Sequence, residues 1–405
     1  LGNSRLLFVT IAAFFLGCGG QTLAERRVES APAVRALQEG RFDEALRDAN
    51  TAIDSSSGTP EAHVVRAIAR YRATMTQLVL DGRTVVVGGL EAGGINQRYV
   101  HTTAAQAEAD LAAVDRDLAE AQKSKDVSLE LCLACWKGVD WNGDGRVDRR
   151  DERLLQIEVD EHGEPLSDSD PRRTPTFRFD DGDIAWARAF VGFERALLDI
   201  VLAYDFSGIN EVLRRGDDVP KRIVLRLAEK GRIADAKARF LEAIEHSAAC
   251  RKAYLEETDD DREWVPNPRQ KNHPMPLPVD QALYDTWGGV LDDMQKLING
   301  DEGIAAADIA MLLNGEVDVS NARGFVNIGA MLNRPKDIVI LERDVQMLDK
   351  HPIDLGASLA AILGEYHVAG MKPSGLPKRL ARMKGEIDAR QEDIEHKLRY
   401  LFWLN

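Results

Sequence analysis

Apolar residues in this chain recur mostly at intervals of three and four, the period of helices that bury one face. Ala104, Ala107, Leu111, Val114 and Leu118 predict an amphipathic helix over 103–124. Tyr284, Trp287, Val290, Leu291, Met294, Leu297 and Ile298 predict another, with Gly300 as its stop. Leu380, Met383, Ile387, Ile394, Leu398 and Leu401 form a third stripe near the end, and Tyr400-Leu-Phe-Trp403-Leu is expected to pack into the domain. Residues 184–204 are apolar around most of the circumference. Their polar stripe of Arg188, Gly192, Arg195 and Asp199 predicts a centrally buried helix in which Arg195 and Asp199 pair one turn apart. Asp180, Asp181 and Asp183 precede that helix as capping acids, with an extra calcium ligand as the alternative role.

The period changes in a few places. Leu154-Leu-Gln-Ile-Glu-Val159 and Thr176-Phe-Arg-Phe179 alternate like the two strands of a short hairpin. Asp337-Ile-Val-Ile-Leu341 reads as a strand or a buried turn of helix. Residues 80–100, with Val85-Val-Val-Gly-Gly-Leu, read as an irregular glycine-rich connection. Pro266, Pro268, Pro274, Pro276 and Pro278 exclude regular helix over 256–280 and suggest an extended connector, pinned by Trp264 and Met275.

One segment has a spacing that dictates a chemistry. In Asp140-Trp-Asn142-Gly-Asp144-Gly145-Arg146-Val147-Asp148-Arg-Arg-Asp151, side-chain oxygens fall at positions 1, 3, 5, 9 and 12. Arg146 at position 7 offers its backbone carbonyl, Gly145 at position 6 permits a sharp turn, and Val147 is expected to enter a small core. The candidate metal ligands are therefore Asp140, Asn142, Asp144, Arg146, Asp148 and Asp151, an all-oxygen set suited to Ca2+. This spacing resembles the EF-hand calcium loop. Asp151 stands where glutamate is usual, which is similar to dockerin-type extracellular loops; Glu152 reaches in if the register slips by one. The resemblance covers the loop alone and implies structural calcium. A solvated acidic turn capping a helix near Asp151 is the alternative.

The N-terminus carries an address. Arg5 precedes the apolar run Leu6-Leu-Phe-Val-Thr-Ile-Ala-Ala-Phe-Phe-Leu16, too short to span a bilayer, which ends in Gly17-Cys18-Gly-Gly. This resembles a bacterial lipobox, with Phe15 where leucine is usual, and implies that Cys18 is lipidated after cleavage. An aspartate retention signal is missing at Gly19, so the expected place is the bacterial cell envelope, at the outer membrane facing the periplasm or the cell surface. Leu1 implies an alternative start codon or a truncated record. Besides Cys18 there are Cys132, Cys135 and Cys250. Cys132-Leu-Ala-Cys135, in a segment that reads as helix, is a short disulfide or a pair of packed thiols beside the calcium loop; Trp136 follows where a c-type haem site needs histidine.

Leu37-Gln-Glu-Gly40-Arg-Phe42-Asp-Glu-Ala45, with Ala49, Ala52 and Ile53, resembles the second half of a tetratricopeptide repeat, and Ala67 and Tyr71 continue it. Gly231-Arg-Ile233-Ala-Asp-Ala236, with Ala243 and Ile244, matches it at a constant offset. The resemblance implies helical hairpins near 36–75 and 227–254, with no regular period between them and so no regular superhelix.

The expected fold is mainly α: an irregular helical-hairpin array with one EF-hand-like calcium loop and a short β-hairpin. It divides into a signal peptide (1–17), a tether (18–31), an N-terminal helical region (32–128) and a calcium-loop region holding the β-hairpin and buried helix (129–215). A second hairpin (216–255), a Pro-rich connector (256–280) and a C-terminal helical region (281–405) complete it. A net charge of −15 argues against a nucleic-acid partner. The membrane is engaged only through the lipid, since even 184–204 carries Arg188, Glu194, Arg195 and Asp199. No phosphate-binding glycine loop, HExxH or serine elbow is present. The expected function is a non-enzymatic, calcium-binding interaction or scaffold lipoprotein with an unidentified protein partner. The alternative is an exported, hydrolase-like enzyme with a site in the C-terminal half, where Asp344, Asp349 and Asp354 flank His351.

Overall fold

The computed structural model describes residues 23–388 except 57, 93, 125–126, 137, 141–145, 154, 159, 161–163, 211–221, 261, 274–278, 306–307, 309–323, 342–365, 367 and 369. At 23–30, 56, 86–92, 150, 341 and 384–388 the backbone alone is described. The architecture is mainly helical with a few short strands. The signal peptide, Cys18, Met275, His351 with its flanking acids, and Ile394 onward lie outside the described residues.

The chain opens with helices α1 (Leu23–Gln38), α2 (Phe42–Ser56), α3 (Pro60–Ala92) and α4 (Gln97–Ala121). Gly40 ends α1 at φ +73°, with its N–H donated to Leu37 O and that of Arg41 to Ala36 O, so the chain reverses in one turn. Ala45, Ala49 and Ala52 then lie buried on one face of α2. Thr59 caps α3, its hydroxyl accepting from Ala62 N–H at 3.1 Å. On α4 the predicted stripe Ala104, Ala107, Leu111, Val114 and Leu118 is buried.

Within the span expected as a tether the chain is helical from Leu23, because Ala24-Glu-Arg-Arg-Val-Glu is made of residues that tolerate helix. One expectation fails here. The glycine-rich connection is the second half of α3, which persists to Ala92. Asp81 on that half accepts from Gln77 Nε2 and from Tyr99 OH, so α4 braces the extension across the loop.

Next come β1 (Leu129–Leu131), a 3-10 turn (Leu133–Cys135), α5 (Arg149–Arg153), a second 3-10 turn (Pro171–Arg173), β2 (Phe177–Phe179) and α6 (Asp181–Ala203). β2 pairs antiparallel with β1, in register Leu129↔Phe179 and Leu131↔Phe177, and not with the described residues of 154–159 as the alternation suggested. The Ile157 N–H is taken by Arg173 O, and Glu158 O accepts from Leu166, so that stretch folds on its own surroundings. The CxxC lies on a 3-10 turn rather than a helix. Asp180 and Asp183 form a capping box at the start of α6, as capping acids should.

The rest comprises β3 (Tyr204–Asp205), β4 (Arg222–Leu227), α7 (Lys230–Glu256), α8 (Gln281–Asn299), β5 (Glu302–Ala305), β6 (Phe325–Val326), α9 (Ile328–Asn333), β7 (Ile338–Leu341), β8 (Lys372–Pro373) and α10 (Leu376–Asp388). β4 lies between β3 and β7, antiparallel to both, and β5 lies between β6 and β8. The segment expected as a second helical hairpin is thus a strand leading into one helix. Ile223 and Leu225 alternate into a core, while Gly231 sits in the first turn of α7 with open space where a β-carbon would stand. Gly300 closes α8 at φ +86°, as its position predicted.

α6 is the central helix, packed on α4 and α7. Its polar stripe does not pair internally. Asp199, fully buried, accepts from Arg232 Nη1 at 3.0 Å and Arg239 Nε at 2.7 Å, whereas Arg195 reaches Glu108 on α4 at 2.9 Å. Intrahelical spacing suggested the Arg195–Asp199 pair, but neighbouring helices offer closer partners.

The connector after α7 wraps back over this helix. Trp264 is fully buried, with ring centroids 6.0 Å from Phe177, 6.2 Å from Phe179 and 4.9 Å, edge-on, from Trp186. Among the described residues, no helix is long and apolar enough to cross a membrane.

Candidate cation sites

The loop predicted to hold calcium ends at α5. Asp148 N–H donates to Asp151 Oδ2 at 3.0 Å, and Asp151 N–H to Asp148 Oδ1 at 3.4 Å, so the position-9 and position-12 residues cap the short helix reciprocally. Asp151 is buried and Glu152 exposed, which fixes Asp151 as the inward residue. Asp140, at position 1, is half-buried, and its carbonyl accepts from Arg72 Nη2 on α3 at 2.9 Å. Arg146 and Asp148 are exposed; Asn142 and Asp144 lie outside the described residues. Val147 was expected in a small core and is 46% exposed instead, because the core beneath the loop is filled by Val139 and Leu155.

The described donors fit a hard cation. Asp140 and Asp151 supply oxygen alone, and a loop of this spacing would add the other side-chain oxygens and the Arg146 carbonyl. Calcium held there would supply charge neutralisation, while the chain's own residues orient the loop ends. Cys132 and Cys135 form a disulfide, their α-carbons 5.3 Å apart, which stiffens the lead-in to the loop. Phe42 meets the next residue, Trp136, edge to face at 5.0 Å and joins that lead-in to the start of α2. Cys250 is a buried free thiol on α7, its pKa pushed well up by burial.

A second group of acids converges where α6 begins. Carboxylate oxygens of Asp180, Glu257 and Glu263 lie within 4.8 Å of one another. Arg178 Nη2 from β2 contacts Asp259 at 2.9 Å, Glu263 at 3.2 Å and Asp180 at 3.3 Å. Beside them Asp183 is buried and accepts from Tyr254 OH at 2.6 Å. Burial raises the pKa of every one of these four carboxyls: Glu263 to about 9, Glu257 to about 7, Asp180 upward and Asp183 well upward. Neighbouring carboxylates push the same way, and a single guanidinium offsets them only in part. Burial and crowding thus favour the protonated form of these carboxyls, Glu263 more than Glu257.

Sequence reasoning singled out Asp180 and Asp183 but neither Glu257 nor Glu263. The available signal was Glu263 standing directly before Trp264: a tryptophan that anchors a connector carries its neighbour inward.

Two open clefts mark the helical surface. One of about 790 Å3 is lined by Arg98, His101, Gln106, Glu229 and Arg232, the other of about 560 Å3 by Lys230, Lys237, Leu241, Leu332 and Asn333. On α6, Phe193 and Leu197 remain at the surface. Compared with family models, with curated proteins and with solved structures, the chain has no match.

Proposed function

We propose that the chain is an exported lipoprotein, anchored at the bacterial outer membrane through Cys18, that binds Ca2+ and serves as a non-enzymatic interaction or scaffold module. The observation that carries the calcium part is how the two ends of the loop are held: Arg72 Nη2 donates to the Asp140 carbonyl at 2.9 Å, and Asp148 and the buried Asp151 cap each other reciprocally. A loop whose ends are held on the helical bundle has lost part of the entropy that closing it round a cation would cost. The tetratricopeptide-like packing belongs to the same reading: Gly40 turns α1 into α2, and the Ala45–Ala49–Ala52 face lets the helices approach closely. Phe193 and Leu197 on α6 and the open clefts offer a protein partner apolar and charged surface.

Two measurements test the proposal. Chelator-treated protein titrated calorimetrically should bind one Ca2+ with Kd on the order of 10⁻⁵–10⁻³ M, and Mg2+ should substitute poorly. Asp140→Ala should abolish the binding; heat-silent titration of the wild type at millimolar Ca2+ removes the calcium part. In a lipoprotein-processing bacterium the protein should partition with membranes, and Cys18→Ala should release it or leave it unprocessed. Normal processing and equal partitioning of that variant remove the anchor.

A further inference from the structure

We infer that Cys132 and Cys135 form a thiol-exchange site, whose disulfide accepts two electrons from an external dithiol, with Cys135 as the sulfur attacked and Cys132 as the one released. The site stands apart from the calcium and anchor readings.

A disulfide that staples a fold joins parts of the chain that would otherwise separate. This one joins residues three apart, so the ring it closes constrains little of the unfolded chain. The backbone already closes the same turn. Cys135 N–H donates to Cys132 O at 3.1 Å, and Trp136 N–H to Leu133 O at 3.2 Å. Both flanks are anchored as well: Leu131 is fully buried and pairs with Phe177 on β2, and Trp136 is buried against Phe42. Reduction therefore leaves the two sulfurs side by side on a turn held at both ends. A dithiol kept in that geometry re-forms its disulfide without a search for its partner.

The two sulfurs differ in their surroundings. Cys135 is exposed, so an external thiolate can reach its Sγ. Cys132 is half-buried, with its Sγ 3.5 Å from the carbonyl oxygen of Thr174 at the end of the second 3-10 turn. Once reduced, Cys132 can donate its S–H to that oxygen, which favours thiol over thiolate there. The reactive thiolate of the reduced protein is then Cys135. Cys250 is fully buried on α7, out of reach of external thiols.

The exchange balances with a dithiol as co-reactant. One substrate thiolate attacks Cys135 Sγ and forms a mixed disulfide. The Cys132–Cys135 bond breaks, and its electron pair leaves on Cys132, which takes up a proton. The second substrate thiolate then attacks the substrate sulfur of the mixed disulfide, closes the substrate's own disulfide and releases Cys135. The substrate is oxidised by two electrons, the chain is reduced by two, and the substrate's two protons are balanced by those taken up at the two cysteines.

The test treats the full chain under native conditions with dithiothreitol, or with mixtures of reduced and oxidised glutathione, and maps thiols by alkylation and peptide mass spectrometry. The pair should open with dithiothreitol and divide between both forms across the glutathione mixtures, while Cys250 stays unlabelled. The reduced protein should still unfold cooperatively. With oxidised glutathione, Cys135 in Cys132→Ser should form the mixed disulfide at least about tenfold faster than Cys132 in Cys135→Ser. If either serine variant fails to fold, alkylation of the reduced wild type replaces that comparison, and Cys135 should be labelled ahead of Cys132 by the same factor. A disulfide that stays closed in every glutathione mixture, or a reduced protein that no longer unfolds cooperatively, is a staple and overturns the exchange site. Equal rates at the two sulfurs, or a faster Cys132, overturn the assignment of Cys135 as the sulfur attacked.

Discussion

Gly40 and Trp136 are in contact across the N-terminal bundle: a β-carbon on Gly40 would lie 3.2 Å from Trp136 Cβ. The turn between the first two helices is therefore closed by the residue that follows the disulfide leading toward residues 140–151.

Gly40→Ala should destabilise the protein by about 1–2 kcal/mol, since its φ of +73° disfavours any side chain and the space is already taken. Urea unfolding checks this: the midpoint should fall with the slope unchanged.

Ala45→Leu should cost roughly 1–3 kcal/mol by overpacking, and so should Ala236→Leu. Both alanines are fully buried, although only the first follows a helical turn. An unchanged thermal midpoint in both variants would contradict the close packing.

Asp199→Ala should be the costliest of the single changes, about 3 kcal/mol, because it strips the shared counter-charge from Arg232 and Arg239. Both arginines are partly exposed, which keeps the cost at the lower end of the range for a broken buried pair. Asp199→Asn should retain more of the stability. Chemical denaturation of the two variants side by side distinguishes loss of charge from loss of hydrogen bonding.

Stability should fall as pH rises from about 5 to 9. Glu263 keeps its proton in the fold up to about pH 9 and Glu257 up to about 7, whereas the unfolded chain releases both near the ordinary glutamate value. Between those limits the folded form binds more protons, so each unit of pH favours unfolding. The contribution is fully present below the unfolded value and lost as pH passes through the folded one. Asp117 works in reverse: Arg66, Arg70 and His63 hold its carboxyl below the ordinary value, so its contribution is lost toward strong acid. Thermal midpoints at half-unit pH steps should show the decline in the wild type and a flatter line for Glu263→Gln. Parallel profiles would mean that Glu263 does not hold the proton.

Much of the helical framework was legible because its signal is local. The 103–124 stripe needed only its own period, and Gly300 only the helix before it. The mispairings have one physical origin, competition from residues remote in sequence. Asp199 had a suitable arginine one turn away but found two on α7; Phe177 and Phe179 had an alternating stretch nearby but took Leu129 and Leu131. Nothing in the spacing of 140–151 pointed to Arg72 on α3, which holds the Asp140 carbonyl. The acid cluster is an extreme case, since Arg178 and Glu263 are 85 residues apart and meet only once the connector has wrapped.

Trp264 belongs to the same core as Ala33, Leu37 and Tyr71 although it lies beyond the end of α7. A chain made from its N-terminus onward thus reaches α7 with a hole where this indole will sit. The early helices can associate as the chain emerges, but the core beneath β2 and α6 closes only after residue 264 has followed. Until then the folding chain exposes Phe177, Phe179 and Trp186 to whatever meets it first, so chaperone protection matters most between the completion of α6 and the arrival of the connector.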